Sequence, residues 1–304
     1  MKYTRRELGA LTLAGALPIR LLAKPNSKFG GVQVGINAPY SFGNMSEGAD
    51  LILKDLLDLN LSTVELRSQP IEQSLGAPRL VRAARNASPE QREQAKASLD
   101  ALRKWRLSQS IEGFKPFRKK WNDAGVALQI IKFDAVDSMS DDEVGYAFSL
   151  ARTMGADAIS CEIPLSRTKW LGELATAHKF RVGYHGHAEI HNPEAFAAPA
   201  SWEKAMTYSK YNCINLDIGH FVAGNNTSPI PFMKKHADRI THVHIKDRKI
   251  HEGPNTVWGE GDTPIREVLQ LMKREKYPFQ ATIEFEYKVP EGSTRMKEIA
   301  RCVE

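Results

Sequence analysis

No apolar run in this 304-residue chain approaches the roughly 20 residues that a membrane-spanning helix needs. No mature membrane helix is therefore expected. Cysteine is scarce as well: Cys161, Cys213 and Cys302 are odd in number and lack metal-knuckle spacing, which leaves them as small apolar residues rather than a disulfide framework or a zinc cage. A basic arm with interleaved aromatics is also missing. The net charge of +6 is spread over Lys and Arg mixed with Asp and Glu, so a nucleic-acid footprint is not expected. No glycine-rich phosphate loop follows the first strand candidate, which weakens a doubly wound dinucleotide fold. Internal repeats and low-complexity tracts are not evident.

What the chain does contain is a series of short apolar runs that end in imidazole or carboxylate. They are Tyr184-His185-Gly186-His187, Asn215-Leu216-Asp217-Ile218-Gly219-His220, His242-Val243-His244-Ile245-Lys246-Asp247 and Thr282-Ile283-Glu284-Phe285-Glu286. Acid and imidazole at a strand end are costly unless they meet a metal or a substrate. Eight strand candidates occur, at 32–38, 63–67, 127–133, 158–163, 181–185, 214–217, 240–245 and 281–285. They are short and rich in Val and Ile, as parallel strands buried on both faces are. Helical patterns alternate with them, at 47–59, 88–105 (opening Ser-Pro-Glu), 141–153 and from Thr263-Pro264 to about 276. Eight alternations predict an α/β fold of the (β/α)8 TIM-barrel type, with the polar strand ends gathered at its C-terminal face. The expected organisation is a signal segment over 1–23 and a single catalytic barrel over 24–304. The stretch at about 70–122 is too long for one crossover and predicts an extra helix or two over the mouth. Its arginines, among them Arg79, Arg82, Arg85, Arg103 and Arg106, read either as a solvated face or as a lid touching a ligand.

The first residues, Met1-Lys2-Tyr3-Thr4-Arg5-Arg6-Glu7-Leu8-Gly9, resemble a twin-arginine export signal followed by a mild apolar segment to Leu22, with Ala23 as a candidate cleavage point. That reading predicts a periplasmic or cell-envelope enzyme with no membrane association after export. The other reading is an ordinary first helix in a cytoplasmic protein.

Side chains alternate along a strand, so His242 and His244 share one face, as do His185 and His187, and Glu284 and Glu286. The position nearest the strand's C-terminal end favours His244 of its pair. Asp217 is a ligand candidate or an N-cap before Gly219. His220 is a hydrogen-bond partner of a ligand or a substrate contact. Glu162, Asp217 and Glu284 with neutral His244 would form a hard oxygen and nitrogen site suited to Mn²⁺, Mg²⁺ or Zn²⁺, and Lys246 and Arg248 could offset its excess negative charge.

On Leu216-Asp217-Ile218-Gly219-His220, His242-Val243-His244-Ile245-Lys246-Asp247, Ile283-Glu284 and Trp258-Gly259-Glu260-Gly261-Asp262 the chain resembles the xylose-isomerase-like TIM barrels, the sugar phosphate isomerase/epimerase group. The resemblance implies a divalent metal held by a Glu, an Asp, a His and a second Glu. Asp217, His244 and Glu284 match that pattern. The place of the first Glu falls near His185, so either His185 replaces it or Glu162 on the preceding strand supplies the carboxylate. A sugar substrate is implied, with proton abstraction beside its carbonyl. Glu284, His185 and His187 are the candidate bases, and Lys246 the candidate oxyanion partner. Return of the proton gives isomerisation or epimerisation; loss of a β-group gives dehydration or lysis. A non-catalytic carbohydrate-binding barrel is the reading from another class. Phosphodiester hydrolysis fits poorly, because Glu65-Leu66-Arg67 and Lys132-Phe133-Asp134 carry no histidine. The partner expected is a small carbohydrate, and homo-oligomerisation stays open.

Overall fold

A computed structural model of the chain describes residues 24–81, 84 and 86–304. The segment read as an export signal, and Arg82 and Arg85, lie outside the described residues. Eight strands form the barrel: β1 Val32–Ala38, β2 Thr63–Arg67, β3 Ala127–Lys132, β4 Ala158–Cys161, β5 Arg181–His185, β6 Asn212–Asp217, β7 Ile240–Ile245 and β8 Gln280–Ile283. All neighbours pair in parallel, and β8 returns to β1 to close the ring. The strands β2, β6, β7 and β8 are buried at every residue, and their apolar side chains alternate with buried polar ones such as Glu65, Asn215 and His242 that face the barrel interior and pair there. Closure leaves no unpaired edge in the ring.

Local signals set the helix ends. Ser88 makes a capping box with Gln91 and is followed by Pro89, opening the helix Pro89–Ser108. Ser140 does the same with Glu143 for the helix Asp141–Met154, which stops where Gly155 takes a left-handed conformation. The helix Ile265–Glu275 lays Val268, Leu271 and Met272 on the barrel. Among the described residues, no helix is long and apolar enough to cross a membrane.

The connection from β2 to β3 holds the helices Ser68–Gln73, Pro89–Ser108 and Lys115–Asp123. The last of these is the crossover helix and buries Phe117 and Trp121. The helix Pro89–Ser108 is the extra element. Arg103 and Arg106 correct the ligand-touching alternative, because both pair with acids of neighbouring helices. Arg106 donates to both oxygens of buried Glu72, at 2.7 and 3.2 Å, and Arg103 Nε donates to Glu143 Oε2 at 2.7 Å. Removing Arg106 strands a buried carboxylate, so Arg106→Ala should cost about 3–5 kcal/mol of folding stability. Urea unfolding measures it, and a loss under about 1 kcal/mol would show that the pair contributes little.

Candidate active site

Parallel register brings four strand ends to one level at the C-terminal mouth. His185 ends β5, Asp217 ends β6, His244 is the penultimate residue of β7, and Glu284 directly follows β8. Asp217 is the lateral neighbour of His244, and His244 of Thr282. Their side-chain atoms converge. His185 Nε2 lies 3.6 Å from Asp217 Oδ2 and 3.7 Å from Glu284 Oε2, while His244 Nδ1 lies 3.9 and 3.3 Å from the same two oxygens. The four residues are buried, and one donor atom from each falls within 4.8 Å of the others.

Each member is oriented by a contact on its far side. Asp217 Oδ1 accepts from the backbone N–H of His220 at 2.7 Å and caps the helix Ile218–Asn225, which turns Oδ2 toward the cluster. Asp217 is thus an N-cap with one oxygen and a cluster member with the other. His244 Nε2 is hydrogen-bonded to Glu65 Oε2, and this leaves Nδ1 to face Glu284. Asn37 Nδ2 donates to Glu284 Oε1 at 2.9 Å. Asp217 Oδ2, His244 Nδ1 and both nitrogens of His185 are buried without a hydrogen-bond partner. Orphaned buried donor atoms are expensive. Two imidazole nitrogens and two carboxylate oxygens aimed at one point fit a divalent ion of the Mn²⁺ or Zn²⁺ kind.

Lys246 supplies the balancing charge. Its Nζ lies 2.8 Å from Glu284 Oε2, 3.0 Å from Asp217 Oδ2 and 2.6 Å from Glu286 Oε2. Burial alone would lower the ammonium's pKa, but these carboxylates outweigh it and raise it. Three carboxylates against one ammonium leave two negative charges, the amount one divalent cation neutralises. Burial pushes the Glu65 carboxyl up, yet the imidazoles of His244 and His242 hold it well below the usual range. His242 itself is lowered to about 4, chiefly by burial. It sits beneath the mouth against Thr241 and Glu65, as a core histidine. His220 is pushed well below its ordinary value, first by burial. It stands between Lys246 Nζ at 2.8 Å and Arg248 at 2.6 Å, so Arg248 reaches the cluster through His220 rather than directly.

Glu162 lies apart from the four. Its Oε1 accepts from buried Lys132 at 2.5 Å and lies 3.4 Å from His185 Nδ1, and its Oε2 is 3.5 Å from His187 Nε2. The side chain is 46% exposed. Of the two alternatives for the fourth position, His185 therefore converges with Asp217, His244 and Glu284, whereas Glu162 approaches that group only at the outer side of His185. His187, 36% exposed at its side chain, faces the opening with its ring 4.8 Å from that of His185. Between them Gly186 lies under Trp202: a Cβ there would come within 2.6 Å of the indole.

Sequence reasoning missed Glu65, Asn37 and Lys132. The available signal was a polar or charged side chain within an otherwise largely apolar strand: Asn37 in Val32–Ala38, Glu65 in Thr63–Arg67 and Lys132 in Ala127–Lys132.

Residues 160–303 match the family model for the xylose isomerase-like TIM barrel. An inosose dehydratase of Clostridium botulinum (strain Eklund 17B / Type B) is 28% identical over 136 residues, 38% of this chain and 44% of the relative, so the match spans less than half of that protein. Among solved structures, the probable 3-DHS dehydratase AsbF of Bacillus anthracis superposes with a TM-score of 0.62 at 12% identity, covering 89% of this chain and 97% of that one. An IolI protein with a bound zinc atom superposes with a TM-score of 0.56 at 12% identity, covering 89% and 96%. The shared fold is the (β/α)8 barrel.

Proposed function

We propose that this barrel is a divalent-metal-dependent enzyme of the xylose isomerase-like group, which removes a proton beside the carbonyl of a sugar or keto-sugar and so isomerises or epimerises it. One observation carries the reading: four buried side chains from four consecutive strand ends bring one ligand atom each together, and those of His185, Asp217 and His244 have no hydrogen-bond partner. We assign His185, Asp217, His244 and Glu284 as the residues that hold the ion, which is Mn²⁺, Zn²⁺ or Mg²⁺. When bound there, a divalent ion polarises a carbonyl and its neighbouring hydroxyl.

The chain's own groups do the rest. His187 is the half-buried imidazole at the opening beside the cluster and takes the α-proton on Nε2, with the Glu162 carboxylate 3.5 Å from that nitrogen. Glu284 is the other candidate base, already engaged by Asn37 and Lys246. Lys246 holds the ammonium nearest the reacting oxygens and partners the developing negative charge. Tyr40, hydrogen-bonded to Glu286 at 2.5 Å, closes the side of the mouth beyond Lys246.

Elimination is the second reading, and His185 favours it. An epimerase needs two opposed acid/base groups, and a histidine stands where the family pattern has a carboxylate, whereas dehydration needs one base and a leaving group. The dehydratase relatives support it as well. Metal analysis followed by deuterium wash-in from D2O over a panel of keto-sugars tests the common step. Incorporation at the α-carbon is the expected result. Full metal occupancy without incorporation into any sugar would return the protein to the carbohydrate-binding reading.

A further inference from the structure

The four converging atoms come from the ends of β5, β6, β7 and β8. Strands β1 and β2 supply none of them, yet each places a buried polar side chain behind one. Asn37 on β1 and Glu65 on β2 are lateral neighbours in the ring. Asn37 Nδ2 donates to Glu284 Oε1 at 2.9 Å, and Glu65 Oε2 accepts from His244 Nε2. Glu65 is fully buried and reaches His244 through the barrel interior, since β2 and β7 are not neighbours in the ring. Two further groups stand at this contact. The Asn215 amide lies 3.3 Å from His244 Nε2, and His242 Nε2 lies 3.2 Å from Glu65 Oε2. Glu65 Oε1 has no hydrogen-bond partner.

Folding alone gives little reason for this carboxylate, because a buried ion pair is often no more stabilising than apolar side chains of the same volume. Holding an ion does give a reason. A neutral imidazole carries its one proton on either nitrogen, and only a bare Nδ1 can enter the cluster. A carboxylate at Nε2 keeps the proton there, and its negative charge makes Nδ1 a better ligand for a cation. The Asn215 amide is neutral and lacks that second effect. Resting on the metal reading above, we infer that Glu65 is a positioning residue: it touches neither ion nor substrate, and through His244 it sets how tightly the cluster holds a divalent ion.

The test is the affinity of the full chain for Zn²⁺, read by competition with a chromophoric chelator. Zn²⁺ is the probe because a nitrogen and oxygen site takes it more tightly than Mn²⁺. Glu65→Gln keeps the volume and an acceptor oxygen but removes the charge, and should weaken binding about 10–100-fold. Far-UV circular dichroism should show the variant folded. A role confined to packing would lower the thermal midpoint of the metal-free protein and leave the affinity of the folded chain unchanged, and that result overturns the inference. A measurement on the wild type decides the matter where Glu65→Gln does not fold. Heteronuclear NMR of the zinc-loaded chain, with its histidines labelled with ¹⁵N, should place the ion on His244 Nδ1 and a proton on Nε2. The ion on Nε2 with the proton on Nδ1 overturns the inference. Wild type that takes up no Zn²⁺ overturns the metal reading together with this one, whereas full uptake with equal affinities in wild type and Glu65→Gln overturns this one alone.

Discussion

Alanine at Asp217, His244, Glu284 or His185 should abolish stoichiometric metal binding and α-proton exchange, whereas Glu162→Gln should keep the metal. Each of the four supplies one of the converging atoms, and the loss of one ligand in about four cripples affinity. Of the four, Glu162 approaches only His185, at its outer nitrogen, and it is held by Lys132. Metal content after gel filtration is the measurement, and full occupancy in the Asp217, His244 and Glu284 variants would sink the site. Loss of metal in Glu162→Gln with retention in His185→Ala would give the fourth place to Glu162. Far-UV circular dichroism should show each variant, and the chelated wild type, still folded.

His187→Ala should bind metal normally and lose about 10²–10⁴-fold in exchange, the usual cost of removing a general base. The ring stands in the opening, 3.5 Å from Glu162 and outside the four converging atoms, so truncation leaves the cluster intact. Its side chain is only partly buried, and its removal opens no core cavity. A variant that keeps both metal and exchange would make His187 a wall residue and Glu284 the base.

The barrel was legible because its strands are buried on both faces and the polar residues stand at their ends. Seven of the nine singled-out positions crowd one mouth, Glu162 stands on its rim, and Arg248 reaches it only through His220. The choice between His185 and Glu162 was not legible. It turns on a side-chain rotamer that the buried ammonium of Lys132 selects, and Lys132 lies 30 residues away in sequence. Glu65 escaped for a similar reason: its partner His244 is 179 residues distant, and only barrel closure brings the two together. Arg103 and Arg106 of the helix Pro89–Ser108 read either as a solvated face or as ligand contacts, and they are neither. Their acceptors, Glu72 and Glu143, lie on other helices, and no local pattern announces such pairing.

Lys246 has a consequence for the order in which the protein matures. A nascent barrel that brought Asp217, Glu284 and Glu286 together unaided would meet strong mutual repulsion at the last stage of ring closure, where β8 docks between β7 and β1. The ammonium travels on β7's own continuation and arrives with it, within 3.0 Å of all three carboxylates. It acts as a built-in counter-ion, so closure need not wait for a cation from solution. If the proposed site takes a metal, loading can follow folding as a late step on a finished scaffold. On the metal-site proposal, the ion would then be chosen by what is offered to the folded protein rather than by what is present while the chain folds.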